Sequence, residues 1–453
     1  MAQGLPDHID HFIRNQRTEE IPQAVLDHVA LLLLDTLGIA IAAAPMQAGQ
    51  IARETARRLY GSGNRDDTAW MMFDGRAASL AGAAFATASQ IDNLDGHDGY
   101  NPTKGHTGVA VVPALVSLAQ HLPDLSGRDA LAALVTGYEV AGRAAIALHA
   151  SVSDYHTSGA WNALGVTALG ARLRGSSAAQ LREALGIAEY HGPRSQMMRE
   201  IATPTMLHDG SGMGALVGVS ALIMAEMGFT GAPAITVEAA EAQEHWADLG
   251  RFWQVLHQYI KPYPICRWAH ASIDAVREIC LAHDVSAEQV AAIDIRSFHN
   301  AVQLFPGVPE TTSQAQYSLP FAVAVMIARG DIRLEHIAGA GLQDPVAAQL
   351  VAMTKMRVGP EHEARYPAGR WADVTLTLKD GRILSSGEVH ARGGPERPFA
   401  ALDITDKFMR FAAPVIGQHR AEAIMAACLV LPRAGTSFAS LLDLLQAPPE
   451  HPA

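Results

Sequence analysis

Lys261-Pro-Tyr-Pro-Ile-Cys-Arg-Trp-Ala-His270 is where this chain changes character. From residue 1 to about 260 it reads as helix after helix. Apolar, Ala- and Gly-rich runs cover Ala24 to Ala44, Ser79 to Ile91, Val109 to Gln120, Gly127 to Leu148, Gly159 to Leu173 and Gly214 to Met227. Helices apolar nearly all round belong in the interior of a large bundle, and small residues let them pack closely. After the divide the pattern alternates. Ala292-Ile-Asp-Ile-Arg-Ser-Phe298 predicts a strand. Asp373-Val-Thr-Leu-Thr-Leu-Lys379, the turn Asp380-Gly381, and Arg382 to Val389 predict a hairpin. His270 to His283 and Gln316 to Ala328 read as helices. Residues 265–395 therefore form a smaller α+β unit. From Ala401 the chain is helical again and ends in a Pro-rich tail. The expected fold is mainly α: a large all-helical domain from 1–264 and 396–453, and an α+β domain over 265–395.

The bulk numbers agree with this division. The chain has 453 residues, too many for one ordinary core. Apolar residues are 49% and charged residues 18%, which is a well-buried globular protein. A net charge of −12 argues against a nucleic-acid partner, which needs a basic footprint. Cys266, Cys280 and Cys428 have neither disulfide-framework nor metal-ligand spacing. The N-terminus lacks a basic stretch followed by an apolar run. The strongest apolar run, Leu31 to Ala44, is cut by Asp35 and reads as too short to span a bilayer. The expectation is a soluble cytoplasmic protein with no membrane partner.

Asp95-Gly-His-Asp-Gly-Tyr-Asn-Pro-Thr-Lys-Gly-His-Thr107 carries the densest chemistry. Gly and Pro make it a loop between two apolar helices, and titratable groups held this way cluster at functional positions. Lys104 and His106 in it suit a carboxylate and proton transfer. Tyr155-His-Thr-Ser-Gly159 precedes an apolar helix that Thr157 or Ser158 could cap. His156 would then sit by a helix N-terminus that favours an anion; a capping-region His without chemistry reads equally well. Lys261, Arg267 and His270 could bring positive charge to a cleft between domains. In Thr203-Pro-Thr-Met-Leu-His-Asp-Gly210, His208 and Asp209 either face the same pocket or form a turn, and for Asp209 the turn is the safer reading. Phosphate loops, dinucleotide fingerprints, nucleophile elbows and zinc frameworks have no match in the sequence. The chemistry expected is therefore acid–base work by side chains alone, with no metal and no cofactor.

In order and spacing, these segments resemble the MmgE/PrpD superfamily over nearly the whole chain. The resemblance runs through Leu33-Leu-Asp-Thr-Leu-Gly38, the Asp-rich loop ending in Gly105-His106, and Tyr155-His156. It continues through Lys261-Pro-Tyr-Pro264 with His270, Ala315-Gln-Tyr-Ser-Leu-Pro-Phe321, and Asp403 to Phe408. It implies a cofactor-free helical domain with an inserted α+β lid, a homodimer, and an active site in the cleft. Asp95 and Asp98 fall at the first and last Asp of the family's Asp-x-Asp-Asp loop, with His97 at the middle one. His106, His156, Lys261 and His270 match the family's site residues. Thr205, or His208 in a shifted register, stands where some members have Lys. Phe321 stands where some have a site Tyr; Tyr317, read as one helical turn away, could replace it.

The expected activity is a lyase of the dehydratase type on a small hydroxy di- or tricarboxylate. It would start by proton removal next to a carboxylate, which needs strong positive charge around the developing enolate. Asp95, His106, His156 and Lys261 are the expected catalytic residues, with His106 or His156 as base and the other as acid. Asp98, Lys104, His208, Arg267, His270 and Tyr317 are expected to bind substrate. An epimerase, a cis-aconitate-type decarboxylase and a non-catalytic carboxylate-binding protein are the alternatives.

Overall fold

The computed structural model describes residues 4–449, so the last residues of the Pro-rich tail lie outside the described part. The chain is mainly helical, and its apolar core falls into two large clusters. The first takes side chains from Ile9 to Ile260 and again from Ile404 to Leu445. The second takes Tyr263 to Val389, joined by Met197 and Ile201. The changeover thus falls at the Lys261-Pro-Tyr-Pro264 segment.

In the first part, helices Leu80–Asp92, Gly108–Ala119, Gly127–Ser151, Gly159–Arg174 and Ser211–Glu226 pack together, with Gln23–Ala43 beside them. Close approach explains the small residues. A Cβ on Gly165 would run into Ala141 and the Gly137 carbonyl of the neighbouring helix. The C-terminal helix Ala401–Ile416 returns to pack on Gln23–Ala43, with Phe408 against Gly38. This part is not purely helical: β1 (Thr68–Trp70) and β2 (Ala77–Ser79) form a small antiparallel hairpin. The apolar run near Asp35 is also longer than read. Gln23–Ala43 has 21 residues and, like Gly127–Ser151, is long and apolar enough to cross a membrane. Protein surrounds both, burying 78% and 94% of their most apolar windows. Asp35 does not break its helix because Lys407 pairs with it at 2.6 Å.

The second part holds a sheet of β3 (Val290–Ser297), β4 (Thr354–Val358), β5 (Trp371–Leu378), β6 (Ile383–Ser385) and β7 (Val389–His390). β3 pairs with β4 in parallel and with β5 antiparallel; β5 also pairs with β6 and β7. Alternate residues of β5, Ala372, Val374, Leu376 and Leu378, are buried, as expected where one face packs on helices. Helix His270–His283 packs on that strand and on helix Leu319–Arg329. The single helix expected over Gln316 to Ala328 is instead two, Thr312–Gln316 and Leu319–Arg329. Ser318 starts the second by accepting the Phe321 N–H, and Pro320 occupies its first turn. Tyr317 and Phe321 therefore do not share a helix face.

Candidate active site

The Asp95–Thr107 loop emerges from helix Leu80–Asp92 already turned, with Asp95 in the left-handed region at φ 55°. Its polar groups are buried and held from several sides. The Asp98 carboxyl accepts the Gly108 N–H at 3.0 Å and the Tyr138 hydroxyl. Burial pushes that carboxyl up to about 7. The Asp98 carbonyl meets His106 Nδ1 at 2.5 Å. Gly99 must be glycine, since a Cβ there would strike Tyr259 and the His106 ring. Asp98 was expected to touch substrate; its carboxyl is instead committed to holding the loop.

Beside this loop is a small enclosed cavity. Asp95, Lys104, His106, Tyr155 and Asp209 face it from the helical part. Cys266, Arg267, Trp268, Tyr317 and Arg370 face it from the α+β part, with Tyr259 between. Lys261 lies behind Asp95, fully buried, donating to the Asp95 carbonyl at 3.0 Å and to its carboxylate. Burial pushes the Asp95 carboxyl up, while Lys261 pulls it down. Arg267 stacks on the Tyr259 ring at 4.4 Å and donates to the carbonyls of Arg392 and Ala391. Burial lowers its guanidinium to about 10, so it stays charged at neutral pH. Arg370 is held by the carbonyls of Pro367 and Gly369. The Lys104 ammonium lies 5.4 Å from the Tyr155 ring centre. Three cations therefore face a space of only about 20 Å³, room for about one water.

Of the expected residues, the structure brings Asp95, Lys104, His106, Arg267 and Tyr317 to one wall-to-wall cavity, with Lys261 directly behind. His208 stands at the edge, its ring 5.3 Å from that of Tyr317 and facing a second, larger cavity of about 550 Å³. His156 and His270 are not on the wall of this cavity. The His156 backbone donates to His149 Nε2 at 3.2 Å and bridges to Gln196. The His270 ring meets the Ile265 carbonyl at 2.8 Å and packs on Tyr263. Neither Thr157 nor Ser158 caps the helix Gly159–Arg174 with its side chain. Ser158 Oγ accepts the His106 backbone N–H at 3.0 Å instead.

Asp209 does what the sequence reading assigned to a turn, and more. Its φ is 22°, its carbonyl accepts the Gly159 N–H at 2.9 Å, and its Oδ1 accepts the Ser158 N–H at 3.3 Å. Its Oδ2 lies 3.4 Å from His106 Nε2. Glu200, Tyr259 and Arg370 were missed outright. Each stands alone in its segment without a motif, and only tertiary packing brings it to the site. The buried Glu200 carboxylate accepts the Tyr317 hydroxyl. Asp95, His97 and His106 present donor atoms within 4.8 Å of one another. The Lys261 ammonium already holds one oxygen of that Asp95 carboxylate.

Family models agree with this architecture. The MmgE/PrpD N-terminal domain matches residues 7–247 and the MmgE/PrpD C-terminal domain residues 263–431. The chain belongs to the MmgE/PrpD family. Among curated relatives it is similar to the cis-aconitate decarboxylase of Homo sapiens, 23% identical over 448 residues, covering 94% of this chain and 91% of that protein. The cis-aconitate decarboxylase of Aspergillus terreus is 24% identical over 503 residues, covering 99% and 97%. The family's two domain models meet between residues 247 and 263. Tyr259 and Lys261, which join the two walls of the cavity, lie in that interval.

Proposed function

We propose that this protein is a cofactor-independent lyase for a small unsaturated or hydroxylated polycarboxylate, and that it removes a carboxyl group as carbon dioxide. The observation that carries this is the cavity itself: Lys104, Arg267 and Arg370 around a single imidazole, His106. Cations hold the carboxylates and stabilise the charge left on carbon. As the carbon–carboxyl bond breaks, its electron pair stays on the carbon and spreads into the neighbouring unsaturated acid. A proton from His106 then completes the product. Lys261 acts through Asp95, keeping that carboxylate ionised and in place.

Dehydration and epimerisation each require a base and an acid on opposed sides of the substrate. The second imidazole expected for that work, His156, stands off the wall, which favours decarboxylation over the dehydratase first expected. The activity of the curated relatives supports the same choice. The α+β part serves as a lid in this reading, because it carries Arg267, Tyr317 and Arg370 and must move for substrate to enter. Gln316 donating to the Asn93 carbonyl at 2.8 Å and Asn101 donating to the Ala368 carbonyl at 3.2 Å would latch it shut. The homodimer expected from the family belongs to the same proposal, and sedimentation velocity reads it directly.

The test is an NMR time course in deuterated water with cis-aconitate, citrate, 2-methylcitrate and iminodisuccinate. Loss of one carboxyl from cis-aconitate, with deuterium on the product, is expected. Water loss from citrate or 2-methylcitrate would return the dehydratase reading. Deuterium exchange without change of composition would make it an epimerase. No turnover, with a ligand-induced rise in Tm, would leave a carboxylate-binding protein.

A further inference from the structure

We propose that His106 and Asp209 hold one proton between them, and that this pair is the proton donor of the cavity. His106 is the catalytic residue of the pair, and Asp209 is the positioning residue that acts through it. The proposal rests on the lyase reading above and adds the source of its proton.

Hydrogen bonding decides the tautomer. His106 Nδ1 meets the Asp98 backbone carbonyl at 2.5 Å, and a carbonyl only accepts, so Nδ1 carries a hydrogen. A neutral ring then has a bare lone pair on Nε2. Asp209 Oδ2 lies 3.4 Å from that nitrogen. Two acceptors facing each other in a buried site repel, and a single proton between them removes the conflict. The arrangement is fixed on both sides. Ser158 accepts the His106 N–H through Oγ and donates its own N–H to Asp209 Oδ1. Asp209 and His106 are 5% and 8% exposed, so bulk water does not screen them.

The surroundings determine where the proton rests. Burial and then the Lys261 ammonium disfavour a cationic His106, with Arg267 and His208 adding to this. The His97 ring lies 4.5 Å away and is itself held neutral by burial. Burial and the Asp95 carboxylate push Asp209 up to about 6, and Lys261 opposes them. Asp92 and Glu200 are each pushed up by burial and then by Asp209. The Tyr155 and Tyr317 phenols are kept neutral by burial. Below about pH 6 the resting proton is therefore on Asp209. When the carboxyl group leaves, the Asp209 proton passes to Nε2 and the ring delivers a proton to the carbon. A carbon–hydrogen bond forms, Asp209 is left as carboxylate, His106 is left neutral, and one solvent proton resets the pair.

Asp209→Asn keeps the Ser158 contact through its oxygen and offers N–H to Nε2, but it has no proton to give. Asn also tolerates the positive φ. In wild type, kcat/KM for cis-aconitate should fall as pH rises through the ionisation of the pair. In Asp209→Asn that limb should move at least about one unit toward acid, and turnover at pH 6 should fall ~10²–10⁴-fold. Asp209→Glu should restore part of both. An unmoved limb with uniformly reduced rate would reduce Asp209 to a helix cap and overturn the proposal. Nitrogen NMR of 15N-histidine protein, assigned with His106→Gln, gives a readout without substrate. Wild type should show Nδ1 protonated and Nε2 sharing a proton; the Asn variant should show Nε2 as acceptor only. A bare Nε2 in wild type near pH 6 also overturns the pair. If cis-aconitate is not turned over, the NMR arm still decides the pair, so the two failures are distinguishable. Should the Asn variant not fold, Asp209→Gly, which suits that backbone, carries the same expectations.

Discussion

Two buried lysine–aspartate pairs hold adjacent carbonyls, those of Asp95 and Gly96. Lys261 binds Asp95 through both its carboxylate and its carbonyl. Lys407 binds Asp35 at 2.6 Å and the Gly96 carbonyl at 2.8 Å. In both, burial raises the carboxyl and the ammonium lowers it. The chemistry is the same, yet their surroundings differ. Asp95 opens onto a cavity with Lys104, His106, Arg267 and Arg370 on its wall. Asp35 lies inside helix Gln23–Ala43, which packs on helix Ala401–Ile416, and it acts electrostatically on Asp98 and Tyr138. A buried, perturbed pair therefore does not by itself mark an active site. Lys407 too borders a cavity with charged walls, including Asp331, Arg392 and Arg410; what sets the first pair apart is the His106 imidazole on the same wall as Asp95.

The largest effect should come from breaking the first pair. Lys261→Met leaves Asp95 buried without its cation, and its carboxyl should become neutral. Turnover should fall by ~10³-fold or more, in line with losing an electrostatic anchor in a dry site. A variant that keeps a tenth of wild-type kcat would erase the distinction between the two pairs.

Breaking the second pair should cost stability rather than rate. Lys407→Met should destabilise by about 3–5 kcal/mol, because Asp35 is left as an unpaired buried charge. Replacing both, Asp35→Leu with Lys407→Met, should recover most of that loss, since an apolar pair suits this helix interface. The lost bond to Gly96 leaves a residue of about 1 kcal/mol. Urea melts of the three variants check this. A double variant as unstable as the single one would mean that the pair specifies the packing.

Asp98 sharpens the contrast from a third position. Its carboxyl is pushed up to about 7 by burial, against about 3.9 in an unfolded chain. Between those values the folded state binds more protons than the unfolded one, so stability falls as pH rises from about 4 to about 7. The loss is up to about 4 kcal/mol for a shift of this size. Asp98→Asn can still accept from Gly108 and donate to the Tyr138 oxygen, so it should lack this slope. The difference between variant and wild type should grow with pH across that window and then level off. Parallel stability curves would mean that Asp98 is ionised in the fold at all these pH values.

The same contrast explains what could be read in the sequence. Helix positions followed from apolar runs, and His270–His283 stands where the pattern put it. The break at Lys261-Pro-Tyr-Pro264 followed from the change of period. Lys104, His106 and Asp95 were legible because one short loop carries them together. Arg370, Tyr259 and Glu200 were not, because each stands alone in its own segment and reaches the site only through packing. His156 and His270 were expected at the site because they sit beside motif residues in sequence, but the His156 backbone is tied to His149, the His270 ring meets the Ile265 carbonyl, and neither lines the cavity. Sequence adjacency locates loops well; it does not say which way a ring points.

The smallest effect expected is at Tyr317. It ends the short helix Thr312–Gln316, and its hydroxyl donates to Glu200 on the cavity edge. Phe321, which stands where some relatives have a site tyrosine, is fully buried in the second core. A hydroxyl added there would be buried away from the catalytic wall. Tyr317→Phe should lose about 1–2 kcal/mol of stability, as Glu200 gives up a donor. If Tyr317 only helps hold substrate, KM should rise several-fold while kcat changes little. A fall in kcat of more than tenfold with KM unchanged would instead put its hydroxyl in the chemical step. The pair of proton carriers would then be Tyr317 with Glu200 on the α+β side of the cavity, facing His106 with Asp209 on the helical side. Two opposed acid–base pairs are what dehydration requires, so this one variant would move the reaction class as well as the residue.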